Sequence, residues 1–565
     1  MGASSSKEQN VSSEQREVES LAASTGSTSL LQNAFSKLVD PQTNAIPLQS
    51  LQQCFSLNYK STECEALKMP DSLLGLLNHL GPSIVDMFFI TDKGGVNWIE
   101  FVRGYLKCCG RMPVSGLLNT LLRLFSATGV KAGIPLKLEV EAIDDGDYKI
   151  NGSLLPIDVL MFLWMCWAML WNSKTWNVFK EKECLYLPDI SPLVLSAVVS
   201  CAEGGIGLEL WDCDVSVLDV QLPAGKFLTW MLTTVTNLTE CFTQFVNARL
   251  QNCTSSEQGT PESSSSSLRE ISSEKAGNSR LLTCGKAWAI SLTIRSTISQ
   301  EILNPYFPSN SDASDENLIY RVSCVSFSYE FACYSASILP NTCYRSSLHG
   351  KGLNRFWSNV EAYLGPLLIL ISATSGDANE DCTNSRKWVV GALIHQGFEN
   401  RDMFYGTSGT LYAIDPVFHM CSPSGKEKNF VYSHLHPTGR AYEARPKPVG
   451  IAFGGTIGNE RVYIDGDFAR VTVRHHAVDK TYQPGSLFPN QGFLPVEALI
   501  LEVEVWGLGG SKARETQLSY KKREDLFTAQ RRKVDMKTFA SWEDSPEKMM
   551  TDMMADPNRV RREDR

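Results

Sequence analysis

Apolar residues in the first half of the chain recur at helical intervals. Leu31, Phe35 and Leu38 fall at i, i+4 and i+7, and Leu48, Leu51, Cys54 and Phe55 repeat the spacing. Both segments are predicted as amphipathic helices. Between Val159 and Trp171 the run VLMFLWMCWAMLW is apolar on every side. It is shorter than the roughly 20 residues of a bilayer span, and Asp158 and Asn172 flank it, so it predicts a helix buried in a core. The helical texture continues from Leu154 to Leu250 and contains no catalytic grouping. Past residue 318 the pattern changes to strands and turns. GPLLILISA, KWVVGALIHQ and RVYIDGDF each predict a strand. ALILEVEVWGLG alternates at its end, with Glu502 and Glu504 expected outward and Val503 and Val505 inward.

These patterns divide the chain into a leader (1–27), a helical region (28–250), a Ser-rich linker (251–280), a helical connector (281–317), a strand-rich domain (318–510) and a charged tail (511–565). The linker, TSSEQGTPESSSSSLREISSEKAGNS within it, carries too little apolar surface to offset its ordering entropy. Across all 565 residues, 43% are hydrophobic and 20% charged, enough to bury a substantial core. The net charge of −9 argues against a general nucleic-acid binder. The 16 cysteines are scattered without a CxxC pair, which reads as reduced thiols and not a zinc site.

Several short motifs carry specific chemistry. The start, MGASSSKEQ, places Gly2 before small residues with Ser6 at the favoured later position, the pattern of N-myristoylation. One acyl chain gives only marginal, reversible membrane affinity. The segment FFITDKGGVNWIEF resembles an EF-hand: Gly94 stands at the turning position, Val96 at the central apolar one and Glu100 at the last ligand. Its first, third and fifth ligand positions are Phe89, Thr91 and Lys93, so the oxygens that a calcium loop needs are missing. Glu100 is left as a weak metal candidate, and no cofactor is expected. AIDDGDYKING (Ala142–Gly152) reads as a solvated acidic loop. FGGTIGNE is followed by a strand instead of a helix, so it predicts a hairpin turn and not a phosphate cradle. The histidines of HLH at His434 and of His475–His476 lack metal-ligand spacing.

The second half shows five ordered blocks that resemble the TLDc domain. They are YRSSLHGKGLNRFW; GPLLILISATSGDANEDC; KWVVGALIHQGFENRDMFYGTSGTLYAI, with Gly391, Phe404, Tyr405, Gly406 and Leu411 in place; PVGIAFGGTIGNERVYIDGDF; and VEALILEVEVWGL. The block at Gly454–Gly455 has fewer glycines than the family pattern. By this resemblance the polar cluster of Arg345, Ser347 and His349 belongs to a strand, turn and helix start, without the nucleophile elbow of a hydrolase. The fold class implied is multidomain: an N-terminal all-α, EF-hand-like region, a C-terminal α+β TLDc domain with a β-sandwich core and flanking helices, and a C-terminal helix.

The tail has 14 Lys or Arg against 11 Asp or Glu, with Phe527, Val534, Met536 and Phe539 as an imperfect stripe, and Met549, Met550, Met553 and Met554 beyond. It reads as an exposed helix, and its methionines are soft contacts suited to a partner groove. The architecture as a whole resembles the Eak-7-like branch of TLDc proteins. That resemblance implies a non-enzymatic adaptor that docks on cytosolic subunits of the vacuolar proton-pumping ATPase, with a role in oxidative-stress resistance or growth signalling. The implied location is cytoplasmic, at the vacuolar or lysosomal membrane, with a nuclear pool possible. Residues nominated for partner binding are Phe404, Tyr405, Gly406, Gly454, Gly455, Phe527, Met549 and Met553. Two other readings stay open: a redox-active antioxidant enzyme using Cys343 or Cys382, and a calcium sensor.

Overall fold

The computed structural model describes residues 13–59, 61–65, 68–91, 94–142, 148–175, 184–202, 211, 213–254, 280–307, 318–323, 351–375, 386–435, 446–489, 491–543, 548, 550 and 554. Gly2, the cluster at Arg345, Ser347 and His349, Cys343, Cys382, Met549 and Met553 lie outside them.

After α1 (Ser13–Ser24), two helix–loop–helix units follow, α2 (Thr28–Leu38) with α3 (Leu48–Phe55) and α4 (Ser72–Phe88) with α5 (Trp98–Cys109). Their loops meet through β1 (Ile46–Pro47) and β3 (Gly95–Val96), antiparallel, with Ile46 opposite Val96. Both residues are fully buried. The EF-hand-like scaffold is therefore a paired one. Phe89, at the first ligand position, is buried and stacks on Phe55 and Phe101. The Glu100 carboxylate accepts from the backbone N–H of Asn97 at 2.9 Å, and Asn97 Oδ1 accepts from Glu100 N at 3.0 Å. This capping box starts α5, so Glu100 already has a structural task.

The rest of the helical region comprises α6 (Val114–Lys131), α7 (Pro156–Thr175), α8 (Ser191–Cys201), α9 (Ala224–Thr234), α10 (Leu238–Thr254), α11 (Cys284–Ser291) and α12 (Thr297–Leu303). Small sheets are threaded among these helices, which the helical pattern did not foretell. β2 (Ser61–Cys64) pairs in parallel with β6 (Cys184–Leu187), and β4 (Lys137–Ala142), β5 (Tyr148–Leu154) and β7 (Leu222–Pro223) form a third sheet. Of the acidic AIDDGDYKING segment, expected as a loop, Ala142 ends β4 and Tyr148–Gly152 lie in β5, and its residues 143–147 lie outside the described set. Every residue from Val159 to Trp171 in α7 is buried, as a helix apolar on all sides must be. Among the described residues no helix is long and apolar enough to cross a membrane.

The C-terminal domain contains β8 (Leu318–Ser323), α13 (Leu353–Val360), β9 (Leu367–Ser375), β10 (Arg386–Ile394), β11 (Arg401–Tyr405), β12 (Gly409–Asp415), β13 (His419–Cys421), β14 (Val431–His434), β15 (Gly450–Thr456), β16 (Asn459–Asp465), β17 (Arg470–Val473) and β18 (Val496–Gly507). A final helix, α14 (Gly510–Glu543), follows. The strands form one 11-stranded sheet in the order β11-β14-β15-β16-β17-β18-β9-β10-β12-β13, with β8 on β18. The sheet curls until its end returns to its middle: Arg461 Nη2 of β16 lies 3.3 Å from Cys421 Sγ of β13. The two facing layers of the expected sandwich are thus halves of one continuous sheet.

The central strands are apolar on both sides because both sides are covered. Along β9, Leu367, Ile369, Ile371 and Ala373 point into the curl, while Leu368 and Leu370 join the core of the helical region. β10 divides in the same way, with Val390, Ala392 and Ile394 inside and Val389 and Leu393 outside. This cover corrects one expectation. Val503 and Val505 face inward, but at Glu504 the opposite face of β18 does not meet water. Glu504 is fully buried, and its carboxylate accepts from Leu281 N at 2.9 Å, Leu282 N at 3.1 Å and Trp506 Nε1 at 3.0 Å. Arg321 pairs with both Glu502 and Glu504. Of the two polar positions, Glu504 receives the segment entering α11 and Glu502 pairs with Arg321.

Candidate interaction surface

The β15–β16 hairpin turns through Ile457 and Gly458, with Thr456 opposite Asn459. Gly454 and Gly455 precede the turn with φ of +69° and +79°. A Cβ on Gly455 would lie 2.2 Å from the Asn459 carbonyl oxygen, and one on Gly454 would lie 2.9 Å from the Tyr482 ring. Glycine is needed here for backbone conformation and for close approach together. Tyr482 belongs to the loop between β17 and β18, and the hairpin is shaped around it.

That loop is held by a buried ion pair. Arg461 is 0% exposed, and its Nη1 donates to Asp479 Oδ2 at 2.9 Å and to the Gln483 carbonyl at 2.6 Å, while Nη2 donates to the Gly485 carbonyl at 3.0 Å. The other Asp479 oxygen accepts from Thr481 N and Tyr482 N. His476 packs beside this pair, and burial lowers its imidazole pKa. Burial likewise raises the Cys421 thiol. These titratable groups sit inside the fold, where they fix the loop.

The outer part of the same loop is apolar and exposed. Phe493 is 81% exposed, and Val478 and Leu494 are similarly open. Phe493 meets the His475 ring edge-on at 4.8 Å, and His475 Nδ1 is 2.7 Å from Ser486 Oγ. This patch escaped the sequence reading. Its signal was Phe493–Leu494 set between Gly492 and Pro495, apolar residues in a turn-rich segment with no strand to place them.

A second surface lies at β11, a terminal strand of the sheet path. Arg401, Asp402 and Met403 are exposed, a charged edge of the kind that discourages strand addition. Phe404 is half-buried, 5.5 Å from the Tyr432 ring. Tyr405 is buried; its hydroxyl accepts from Glu399 N at 2.8 Å and lies 2.6 Å from Ser433 Oγ, and burial pushes its pKa up to about 12. Gly406 follows where a Cβ would meet Phe430. Of these three residues Phe404 reaches the surface, while Tyr405 and Gly406 set the turn beneath it.

The third element is α14. Gln517 is fully buried and donates to the carbonyls of Asn359 at 2.8 Å and Glu361 at 3.1 Å, and Lys521 Nζ donates to Asn359 O at 3.0 Å. Both side chains satisfy carbonyls at the end of α13 that no helical N–H reaches. From Lys522 to Lys533 every residue is exposed. Ala513, Tyr520 and Phe527 recur every seven residues and so share one side of the helix. Ala513 packs on the sheet's inner core and Tyr520 reaches Glu361, but Phe527 is 61% exposed, beside Leu526. Met550 and Met554 are exposed as well. Among the described residues no three His, Cys, Asp or Glu side chains gather as a metal site.

A family model, the TLDc domain, matches residues 299–509, from within α12 to the end of β18 and its exit turn. No curated protein matches the chain. A TLDc domain is consistent with a non-catalytic regulatory role in oxidative-stress resistance.

Proposed function

We propose, from the premise that the chain carries a TLDc domain, that it is an adaptor without catalytic activity, seated on the cytosolic sector of the vacuolar proton-pumping ATPase. The observation that carries this reading is the course of α14. Its first turns are fastened to the domain through Gln517 and Lys521, and the side that carries Ala513 and Tyr520 then runs on into solvent at Phe527. A helix that is polar over most of its surface gains little from standing free, so the continued stripe suits a partner's groove. The loop with Val478, Phe493 and Leu494 gives a second apolar contact on the domain body. An acyl chain on Gly2 would supply weak, reversible membrane affinity, and docking on a membrane-bound pump would supply the remainder.

The test is capture of pump subunits from vesicle membranes. Full-length protein is expected to enrich them, Gly2→Ala to do so less from intact vesicles but equally after detergent, and a chain ending at Lys522 to lose most of the capture while keeping its melting temperature. Absence of pump subunits with the full-length chain would remove the reading.

A further inference from the structure

Cys54 lies near the end of α3 and Cys253 in the last turn of α10. Their sulfur atoms are 2.9 Å apart across a separation of 199 residues. A disulfide needs about 2.05 Å, so closing the pair takes less than an ångström of sulfur movement. Apolar packing brings the helices together: Phe55, next to Cys54, has its ring 6.5 Å from Phe245 of α10.

The two thiols differ in their surroundings. Cys54 is buried, and its Sγ lies 3.7 Å from the Arg249 carbonyl oxygen. Cys253 is half-buried and reachable from water. Arg249 is one helical turn before Cys253 and therefore on the same side. Its guanidinium holds the Ser56 carbonyl and lies over the Phe245 ring. Among the described residues, Tyr59 also acts on the Arg249 charge. The hydrogen bond from Cys54 and the charge of Arg249 draw the Cys253 thiol below its usual range, against the effect of burial, while Cys54 is raised. Of the twelve described free cysteines, Cys253 is the one with a lowered thiol. Low thiolate pKa together with access to solvent and a neighbouring second thiol is the setting in which cysteines are selectively oxidised.

We propose that Cys253 and Cys54 form a peroxide-oxidisable dithiol, with Cys253 the attacked residue and Cys54 the resolving one, closing a disulfide that ties α3 to α10. The Cys253 thiolate attacks one peroxide oxygen; the S–O bond forms, the O–O bond breaks, and the other oxygen leaves as hydroxide. The Cys54 sulfur then attacks the sulfenic sulfur and gives its proton to the departing hydroxyl, which leaves as water. The two thiols together lose two electrons and the peroxide gains them. A thiol reductant reverses the bond by exchange. This dithiol lies in the helical region and does not depend on the adaptor reading.

The test treats the full-length chain with hydrogen peroxide, alkylates the remaining thiols and digests without reduction. A linked Cys54–Cys253 peptide, lighter by two hydrogens and lost on adding dithiothreitol, is expected, together with a higher melting temperature for the oxidised chain. Cys54→Ser is expected to stop at a Cys253 sulfenic acid that dimedone traps, and Cys253→Ser to leave Cys54 thiol intact at the same dose. Alkylation rates on the unmutated protein give a measure independent of any variant's folding: Cys253 should react several-fold faster than Cys213, which is also half-buried but has a raised thiol. Equal rates, or peroxide treatment that never links the two cysteines, would overturn the proposal.

Discussion

Single side chains inside the curl decide how firmly the outer loop is held. Arg461 and Asp479 are both buried and bond each other and the loop backbone. Removing one partner leaves the other uncompensated, so Arg461→Leu is expected to cost about 3–5 kcal/mol, measured by denaturant unfolding. Histidine burial adds a pH dependence. His476 is buried, and that burial is the main cause that lowers its pKa from the ordinary 6.5. The unfolded chain then binds more protons near that value than the folded one, and stability rises with pH wherever this holds. Unfolding free energy should therefore be lower at about pH 6 than at about pH 7.5, and His476→Phe should flatten the change if it folds. Burial raises the carboxyl groups of Glu65 and Glu502, which act in the opposite sense at lower pH, nearer the carboxylate range. Neither the ion pair nor the histidine environment was legible in the sequence. Arg461 and Asp479 are 18 residues apart, and only the return of the loop over β16 joins them.

At the level of elements, the sequence was most informative where one period ran unbroken. The buried α7 and the strands β9, β10, β16 and β18 all stand where their apolar runs predicted. The segment at Gly94–Phe101 resembled one EF-hand loop, and its pairing with a second loop at Ile46 came only from the structure, as did the Glu100 capping box. What alternation could not say is what lies opposite a face. Glu502 and Glu504 read as solvent-facing because glutamate usually is, yet the backbone at Leu281 and Leu282, more than 200 residues earlier, claims one of them. Of the candidate surface, Phe404 and Phe527 were legible as aromatic residues in a motif and a stripe, while Phe493 and Leu494 were not. The anchorage of α14 makes its own prediction. Gln517→Ala removes the donor for two carbonyls at the end of α13 and should destabilise the domain by about 1–3 kcal/mol, whereas truncation after Lys522 should leave thermal unfolding unchanged.

Across the whole molecule, the helical region and the sheet share a core. Leu368, Leu370, Val389, Tyr412, Ile414 and Trp506 of the sheet belong to the same apolar cluster as α7 and α11. Polar contacts cross the junction too: Lys286 pairs with Asp415 at 2.6 Å, and Phe418 N donates to the Pro192 carbonyl at 2.9 Å. A fragment limited to residues 299–509 would bare that face. Such a fragment should bind a hydrophobic dye and associate, whereas the complete chain should unfold in one transition by calorimetry. Separate transitions for the two halves would show that the shared core does not couple them.

The fastening of α14 also settles its bearing. At 1.5 Å per residue its 34 residues extend about 51 Å, yet Gln517 and Lys521 grip it within its N-terminal half. Rolling the rod would strip two carbonyls at the end of α13 of their donors, so the root resists both twist and swing. The outer turns consequently act as a bracket and not a tether: anything that grasps them receives the domain at a set angle and distance, and a pull on the far end is felt first at α13.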